Sequence, residues 1–243
     1  MASQTKVREM IAKNNAKKGG LSDKIVPIIL AIISAISILT TIAILFTLLT
    51  ETITFFTRMP LSKFFLSGTW NPTGSSPEFG IWALIIGTLK ITVIATIVAV
   101  PIGLGAAIYL NEYASDRSRR IIKPILEILA GIPTIVFGFF ALTFVTPILR
   151  NLIPNLGEFN SISPGIVVGI MIVPMITSMS EDAMSSVPDK IREGAFGLGA
   201  TKFEVATKVV LPAATSGVVA SIVLGISRAI GETMIVSLAA GSS

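Results

Sequence analysis

The sequence contains no cysteine and no histidine. Without cysteine there is no disulfide and no thiol nucleophile, and without histidine the imidazole of a catalytic triad and the commonest metal ligand are missing. The phosphate-binding pattern GxxxxGK[ST] is also absent from the sequence. These absences argue against an enzyme, against a metal centre and against ATP hydrolysis by this chain itself.

Charged residues are scarce as well, at 14% of 243 residues, whereas hydrophobic residues make up 52%. The mean hydropathy of +0.82 is typical of a helical protein that crosses a membrane several times. The net charge of +5 could indicate nucleic acid, but basic residues of membrane proteins usually face the cytoplasm and anionic headgroups. We therefore predict an all-α polytopic membrane protein in a lipid bilayer, without a nucleic-acid partner.

Long apolar runs predict five membrane spans, because a span needs about 20 such residues. The runs cover 25–50, 79–109, 124–149, 164–180 and 213–240. The polar stretch 1–24 precedes them without a cleavage-site pattern, which indicates a cytoplasmic tail and not a signal peptide. The stretch 51–79 contains several Pro and Gly residues and predicts an irregular outer loop, so 80–240 would form the core.

Basic residues are distributed unevenly between the predicted loops. Fourteen of the 19 Lys and Arg lie on one side of the predicted membrane, six in 1–24, four in 111–124 and four in 181–212. The positive-inside rule places that side in the cytoplasm. We therefore predict a multi-pass protein with a cytoplasmic N-terminus and a cytoplasmic loop at 181–212.

The 181–212 loop contains the stretch EGAFGLGATKFEVATKVVLP, which runs from Glu193 to Pro212. This stretch is too charged to cross a bilayer, so it should be structured at a membrane face. Pro188 can start a short helix before it, and Gly199 permits a tight turn. The stretch is either a docking element for a partner or an interfacial helix without one.

The stretch SRAIGET, from Ser227 to Thr233, lies within the fifth predicted span. Arg228 and Glu232 each cost at least about 2.5 kcal/mol inside a bilayer, so they should face protein or water. Their i, i+4 spacing allows them to pair, and the guanidinium offers a planar fork of donors suited to an oxyanion. We predict a substrate path formed by Ser227, Arg228, Glu232 and Thr233. The alternative is a structural ion pair that ties two helices together.

Two further charges lie within predicted spans. Glu127 belongs to the inner part of the third span, before a break predicted at 131–133. It could line the path or simply reach the cytoplasmic interface. Lys90, in the second span, could likewise line the path or extend its ammonium group to the interface.

The spacing from Glu193 to Pro212 resembles the EAA loop of binding-protein-dependent ABC importer permeases. That pattern is Glu-Ala-Ala, three residues, Gly, nine residues, Ile, one residue, Leu-Pro. Here Gly194 replaces the middle Ala and Val209 replaces Ile. In the family, the short helix of this loop lies in a groove of the ATPase subunit. The resemblance implies that six positions couple to an ATPase: Glu193, Gly194, Ala195, Gly199, Leu211 and Pro212.

A wider resemblance, to the membrane subunits of phosphate-specific ABC importers, covers nearly all of the chain after the tail. Its segments are FGIWALIIGTLKIT, AVPIGLGAAIYLNEYA, ILAGIPTIVFGFFAL, the EAA-like loop and SRAIGETM. Met234, Ile235 and Val236 after GET make the chain more similar to PstC than to PstA subunits. The resemblance implies a MetI-like helical bundle. The family continues past the GET helix with another outer loop and a last helix, so this chain is expected to be a truncated member.

The resemblance also implies the partners of this chain. They are a PstA-type permease that forms a heterodimer with it, a PstB-type ATPase dimer, and a PstS-type phosphate-binding protein outside. ATP and Mg would bind to the ATPase, which leaves this chain with no cofactor, no metal and no catalytic residue. The expected function is phosphate import by alternating access across the inner membrane of a prokaryote.

Two other functions remain open from the sequence. A permease for another oxyanion, such as molybdate or sulfate, would share the EAA-like loop but need not contain SRAIGET. A membrane enzyme or an assembly factor is the other alternative, which the absence of His, Cys and clustered carboxylates argues against.

Overall fold

The computed structural model of the chain describes residues 21–72 and 76–241. Most of the predicted tail, 1–20, therefore lies outside the described residues. The contacts between Cα atoms divide the described residues into two compact units, with the boundary after Phe64.

The first unit contains one long helix, α1 (Leu21–Arg58). It extends eight residues beyond the predicted end of the first span, into the segment that was predicted to be a loop. The polar residues of that segment do not end the helix, because their hydroxyls bond within it: Thr52 donates to the Leu48 carbonyl at 2.7 Å and Thr54 to the Thr50 carbonyl at 2.8 Å. The apolar side chains of α1 from Ile25 to Ile53 are exposed, as in a helix surrounded by lipid.

The rest of the predicted outer loop contains short elements. Helix α2 (Leu61–Leu66) is followed by β1 (Trp70–Asn71), which pairs in antiparallel register with β2 (Glu78–Phe79). The Trp70 and Phe79 rings meet edge to face, with centroids 5.6 Å apart. The segment therefore contains a short helix and a two-stranded sheet, whereas its Pro and Gly residues predicted an irregular loop.

The core of the second unit is built on α3 (Ile81–Ile108), which continues as a π-helical turn at Tyr109–Tyr113, and on α7 (Ile162–Ser185). These two helices lie close together because small residues face each other. A Cβ atom at Gly169 would lie 2.9 Å from the Ala95 carbonyl oxygen, so the backbones touch. Helix α7 is the central helix, and most of its side chains are buried.

The predicted third span, 124–149, consists of two parts. Helix α4 (Asp116–Gly131) ends before Ile132 and Pro133, as the predicted break required. The chain continues as α5 (Thr134–Phe140), a π-helical turn (Ala141–Val145) and α6 (Thr146–Leu152). Only Thr134–Leu152 is apolar and long enough to span, whereas α4 is amphipathic and has no buried residue. The predicted boundary was therefore wrong, and Glu127 lies on α4, outside the spanning helix.

After α7 the chain forms a series of short helices. They are α8 (Asp189–Gly197), α9 (Lys202–Glu204), a π-helical turn (Val205–Val210), α10 (Leu211–Ala213), α11 (Thr215–Ile230) and α12 (Met234–Ala239). The segment before Ala214 meets α11 at 75°. The bend at Ala214 thus lies at the predicted start of the fifth span, 213–240, and the span itself is broken between Ile230 and Met234. The described residues contain four helices suited to spanning a membrane, and the bent pair would make a fifth.

Candidate functional site

Helix α8 presents the first half of the EAA-like stretch on the surface. Glu193 and Gly194 are exposed, whereas Ala195 is half-buried. The helix ends in a left-handed turn: Gly199 has φ +84°, and the backbone N–H of Ala200 donates to the Ala195 carbonyl at 3.2 Å. Glycine adopts this φ without the steric penalty of other residues, so the tight turn predicted at Gly199 is present.

The next helix begins with a capping box. The backbone N–H of Glu204 donates to the Thr201 hydroxyl at 3.3 Å, and the Thr201 N–H donates to the Glu204 carboxylate at 3.1 Å. The hydrogen bond from the Thr201 backbone, helped by Lys208, lowers the pKa of Glu204 from 4.5 to about 2. Glu204 is therefore ionised at neutral pH and fixes the turn between α8 and α10.

Arg192 on α8 connects the loop to the ends of two core helices. Its guanidinium donates to the carbonyls of Met184 at 2.7 Å and Val187 at 2.6 Å, at the end of α7. It also contacts the Glu112 carboxylate at 3.3 Å, after the end of α3, and the Asn111 side chain at 3.2 Å. Arg192 was not among the predicted site residues, although the polar pair Asn111 and Glu112 after a long apolar run was a signal for such a contact.

A cluster of apolar side chains holds the second half of the loop against the core. Val205, Val210 and Ala214 pack with Met184 of α7 and Ala107 of α3. Leu211 is half-buried beside this cluster, and Pro212 is exposed in the first turn of α10. The loop is therefore attached to the core through Arg192 on one side and through this cluster on the other.

The SRAIGET stretch does not form the continuous helix that its spacing predicted. Helix α11 ends at Ile230, so Glu232 is not on the next turn from Arg228. Instead, one Glu232 carboxylate oxygen accepts hydrogen bonds from the backbone N–H groups of Met234 at 3.1 Å and Ile235 at 3.3 Å. No ion pair joins Arg228 to Glu232, both of which the structure describes, so the pairing that their spacing allowed is not formed. Glu232 stabilises the start of α12.

The hydroxyl groups at the two ends of this stretch are exposed. Ser227 donates its hydroxyl to the Val223 carbonyl at 2.8 Å, within its own helix, and Thr233 directly precedes α12. The buried face of α11 is formed by Ser221 and Gly225, and Ser221 shares a hydrogen bond of 2.6 Å with Ser180 of α7. Arg228 is exposed and lies beside this buried face.

Arg228 lines a cavity of about 320 Å³ between α4, α7 and α11. The other lining residues are Leu126, Glu127, Ala130, Met171, Pro174, Met175, Ser178 and Met179. The structure thus brings together two of the predicted residues, Arg228 and Glu127, from parts of the chain about 100 positions apart. The side chains of Arg228 and Glu127 have no hydrogen-bond or ion-pair partner among the residues whose side chains are described.

An ion pair between a half-exposed lysine and a buried glutamate joins α4 to α7 beside this cavity. Lys123 of α4 lies 2.7 Å from the carboxylate of Glu181 on α7, whose side chain is only 3% exposed. Lys123 is one helical turn before Glu127, so the ion pair also sets the position of Glu127. The sequence analysis did not identify Glu181, which follows the predicted end of the fourth span.

Lys90 lies apart from the Arg228 cavity. It lines a different cavity, of about 650 Å³, between α3 and the segment that precedes α7. Asn160 and Ser161 contribute polar groups there, and the other lining residues are apolar. The structure therefore does not bring Lys90 together with the other predicted path residues.

Comparison with known proteins places these features in a family. The model of the binding-protein-dependent transport system inner membrane component matches residues 99–243. The probable ABC transporter permease protein YqgH of Bacillus subtilis is 38% identical over 182 residues, which are 74% of this chain and 59% of that protein. The phosphate transport system permease protein PstC of Haemophilus influenzae is 37% identical over 200 residues, an alignment that covers 74% of this chain and 63% of that protein. The chain thus spans about three fifths of the length of these relatives.

Solved structures show the same fold at lower identity. An inward-facing structure of the MetNI methionine ABC transporter aligns with a TM-score of 0.56 and 21% identity, over 67% of this chain and 77% of that chain. A second crystal form gives a TM-score of 0.53. The predicted MetI-like helical bundle is therefore confirmed. The family match, which covers more than half of the sequence, shows that this chain belongs to the binding-protein-dependent transport system inner membrane components.

Proposed function

We propose that this chain is the transmembrane permease subunit of an ATP-driven importer of inorganic phosphate. The observation that carries the proposal is Arg228, whose side chain lines a cavity between three helices of the core and has no partner among the described side chains. The similarity to phosphate permeases of the PstC type, at 37% and 38% identity, supports phosphate as the substrate.

The chemistry of the cavity suits an anion. An unpaired arginine is costly inside a membrane protein, so such residues usually face a water-filled path or a substrate. Its planar fork of donors matches two oxygens of a tetrahedral oxyanion. The volume of about 320 Å³ accommodates phosphate together with water. Ser178, on the exposed side of α7, offers a further hydroxyl.

The 181–212 loop is the proposed contact with the ATPase. Helix α8 is exposed, and so are apolar side chains near its end, among them Phe196 and Leu198, which is 91% exposed. Exposed apolar side chains of this size indicate a surface that another protein covers. Arg192 and the cluster around Val205 connect this surface to α3, α7 and α11, so movement of α8 is passed to the helices around Arg228.

The transport cycle is alternating access. Nucleotide binding closes a PstB-type ATPase dimer, α8 moves with it, and the cavity opens outward to receive phosphate from a PstS-type binding protein. Hydrolysis resets the cavity inward. A PstA-type permease completes the membrane path as the second half of a heterodimer. The protein lies in the inner membrane of a prokaryote with its N-terminus and the 181–212 loop in the cytoplasm.

Transport by the reconstituted complex tests this proposal. The full chain is purified with its partner subunits, inserted into liposomes with ATP inside, and supplied with radiolabelled phosphate and the binding protein. We expect ATP-dependent uptake that unlabelled phosphate inhibits and that sulfate or molybdate in excess does not. Co-purification of an ATPase and a second permease is expected in the same preparation.

Two outcomes would replace the proposal. Uptake of sulfate or molybdate at the same rate as phosphate would identify a permease for another oxyanion. A protein that purifies without an ATPase subunit and acts alone would instead be a membrane protein outside transport, such as an assembly factor.

A further inference from the structure

Glu127 and Arg228 carry opposite charges on one cavity and yet do not pair. We propose that Glu127 is a specificity-determining residue that accepts a hydrogen bond from a protonated oxyanion held by Arg228, so that the cavity admits phosphate and rejects sulfate. This inference rests on the proposed function and adds a negatively charged contact, Glu127, to the site that contains the positively charged Arg228.

The position of Glu127 is set by the packing of α4 and not by a partner of its own. Lys123, one turn earlier, is committed to Glu181 at 2.7 Å and is therefore not available to pair with Glu127. Arg119, two turns earlier, donates to the Leu110 carbonyl at 2.6 Å. Both of these cations thus have partners of their own, and the Glu127 side chain, which has none among the residues with described side chains, lines the cavity.

Glu127 also lies at the boundary between two cavities. Besides the Arg228 cavity, it lines one of about 420 Å³ along the polar face of α4. The charged groups around this second cavity are Asp116, Arg119, Arg120 and Lys123. Because Glu127 lines both cavities, an anion that moves between Arg228 and the basic residues of α4 passes its carboxylate. A carboxylate at that position repels anions in general. We therefore expect the substrate to be an anion that can also donate a hydrogen bond to this carboxylate.

Phosphate meets that requirement and sulfate does not. At neutral pH inorganic phosphate keeps at least one proton on oxygen, and this O–H group donates to a carboxylate while the remaining oxygens accept from an arginine. Sulfate keeps no proton, so each oxygen it turns toward Glu127 meets like charge without a hydrogen bond. Sites built on a substrate O–H group reject analogues that lack it by up to about 10⁴-fold. Because Glu127 is exposed to solvent, which weakens its interactions, we expect a smaller preference here, of at least about 10-fold.

The absence of cysteine from the sequence provides a direct test. Ser178 lines the cavity and is exposed, so Ser178→Cys introduces the only thiol of this chain. The rate at which N-ethylmaleimide labels that thiol is measured in the purified complex, with phosphate, arsenate or sulfate present. Arsenate is the matched anion because it also keeps a proton at neutral pH. Glu127→Gln is then added, and Glu158→Gln, in the exposed loop before α7, serves as the control.

We expect phosphate and arsenate to slow labelling at concentrations at least about 10-fold lower than sulfate requires. A neutral amide both donates and accepts hydrogen bonds, so Glu127→Gln should bring sulfate to within about 3-fold of phosphate, whereas Glu158→Gln should leave the difference unchanged. Equal protection by phosphate and sulfate in the protein with Glu127, or discrimination that survives Glu127→Gln, would overturn this inference alone. No protection by any anion would overturn the Arg228 site and this inference together.

Discussion

Replacement of Arg192 by Met removes the connection between α8 and the core. The Arg192 side chain is 14% exposed and its partner Glu112 is 7% exposed, so the substitution leaves a buried carboxylate without its cation. Removal of one partner from a buried ion pair typically costs about 3–5 kcal/mol. The contact with Asp189 adds at most about 1 kcal/mol, because Asp189 is 86% exposed. We therefore expect Arg192→Met to lower the free energy of unfolding by about 3–5 kcal/mol.

A double-mutant cycle separates this ion pair from the other contacts of Arg192. The free energy of unfolding is measured by denaturant titration for Arg192→Met, for Glu112→Gln and for the double variant. We expect the double variant to be less destabilised than the sum of the single variants by at least about 1 kcal/mol. Arg192→Lys is the matched control that keeps the charge, and it should be intermediate because one ammonium group cannot reach Glu112 and the α7 carbonyls together.

The outcome that contradicts this reasoning is specific. If Arg192→Met changes the free energy of unfolding by less than about 1 kcal/mol, or by no more than Asp189→Asn, the bonds to Glu112 and the end of α7 do not hold α8 to the core. In that case the loop would have to transmit movement through the apolar cluster around Val205 alone.

Three further predictions concern the loop and the helix packing, and each is measured as a change in the free energy of unfolding. Gly199→Ala should cost about 1–2 kcal/mol because of the left-handed φ, whereas Gly194→Ala, inside α8 with open space around it, should be neutral or stabilising; equal effects would contradict the turn. Gly169→Ala should cost about 1–3 kcal/mol because a Cβ at that position would lie 2.9 Å from the Ala95 carbonyl oxygen of α3. Gly105→Ala is its control and should not destabilise, because a Cβ there has no atom within 4 Å. The pKa of Glu204 is lowered on folding, so its contribution is present above pH 4.5 and is lost as the pH falls toward 2; Glu204→Gln should remove that part of the pH dependence.

The sequence alone predicted the features that depend on local chemistry. Gly199 was identified as a turn because few other residues adopt its backbone conformation, and the break before Pro133 follows from the missing N–H of proline. The long apolar runs located α1, α3 and α7, although α1 continues to Arg58 because threonine hydroxyls bond to carbonyls of their own helix. Local patterns of this kind need no knowledge of the other helices.

Features that depend on contacts between distant segments were not predictable in the same way. The pairing expected for Arg228 and Glu232 assumed a continuous helix, and the end of α11 at Ile230 removes it. The approach of Glu127 to the Arg228 cavity depends on the ion pair between Lys123 and Glu181. This pair joins two helices that are far apart in the sequence, so the spacing of residues along the chain does not predict it. Spacing within one helix predicts partners only while that helix continues.

Phosphate uptake by the Arg228→Ala variant shows whether Arg228 forms the phosphate path. The variant is assembled with the same partner subunits, and assembly is checked by co-purification before transport is measured in liposomes. Arg228→Lys is the matched control, because it keeps the charge and loses the fork of donors. We expect an assembled complex in which Arg228→Ala abolishes ATP-dependent phosphate uptake and Arg228→Lys retains only part of it. Uptake by Arg228→Ala at the rate of the unmodified complex would show that phosphate does not depend on Arg228.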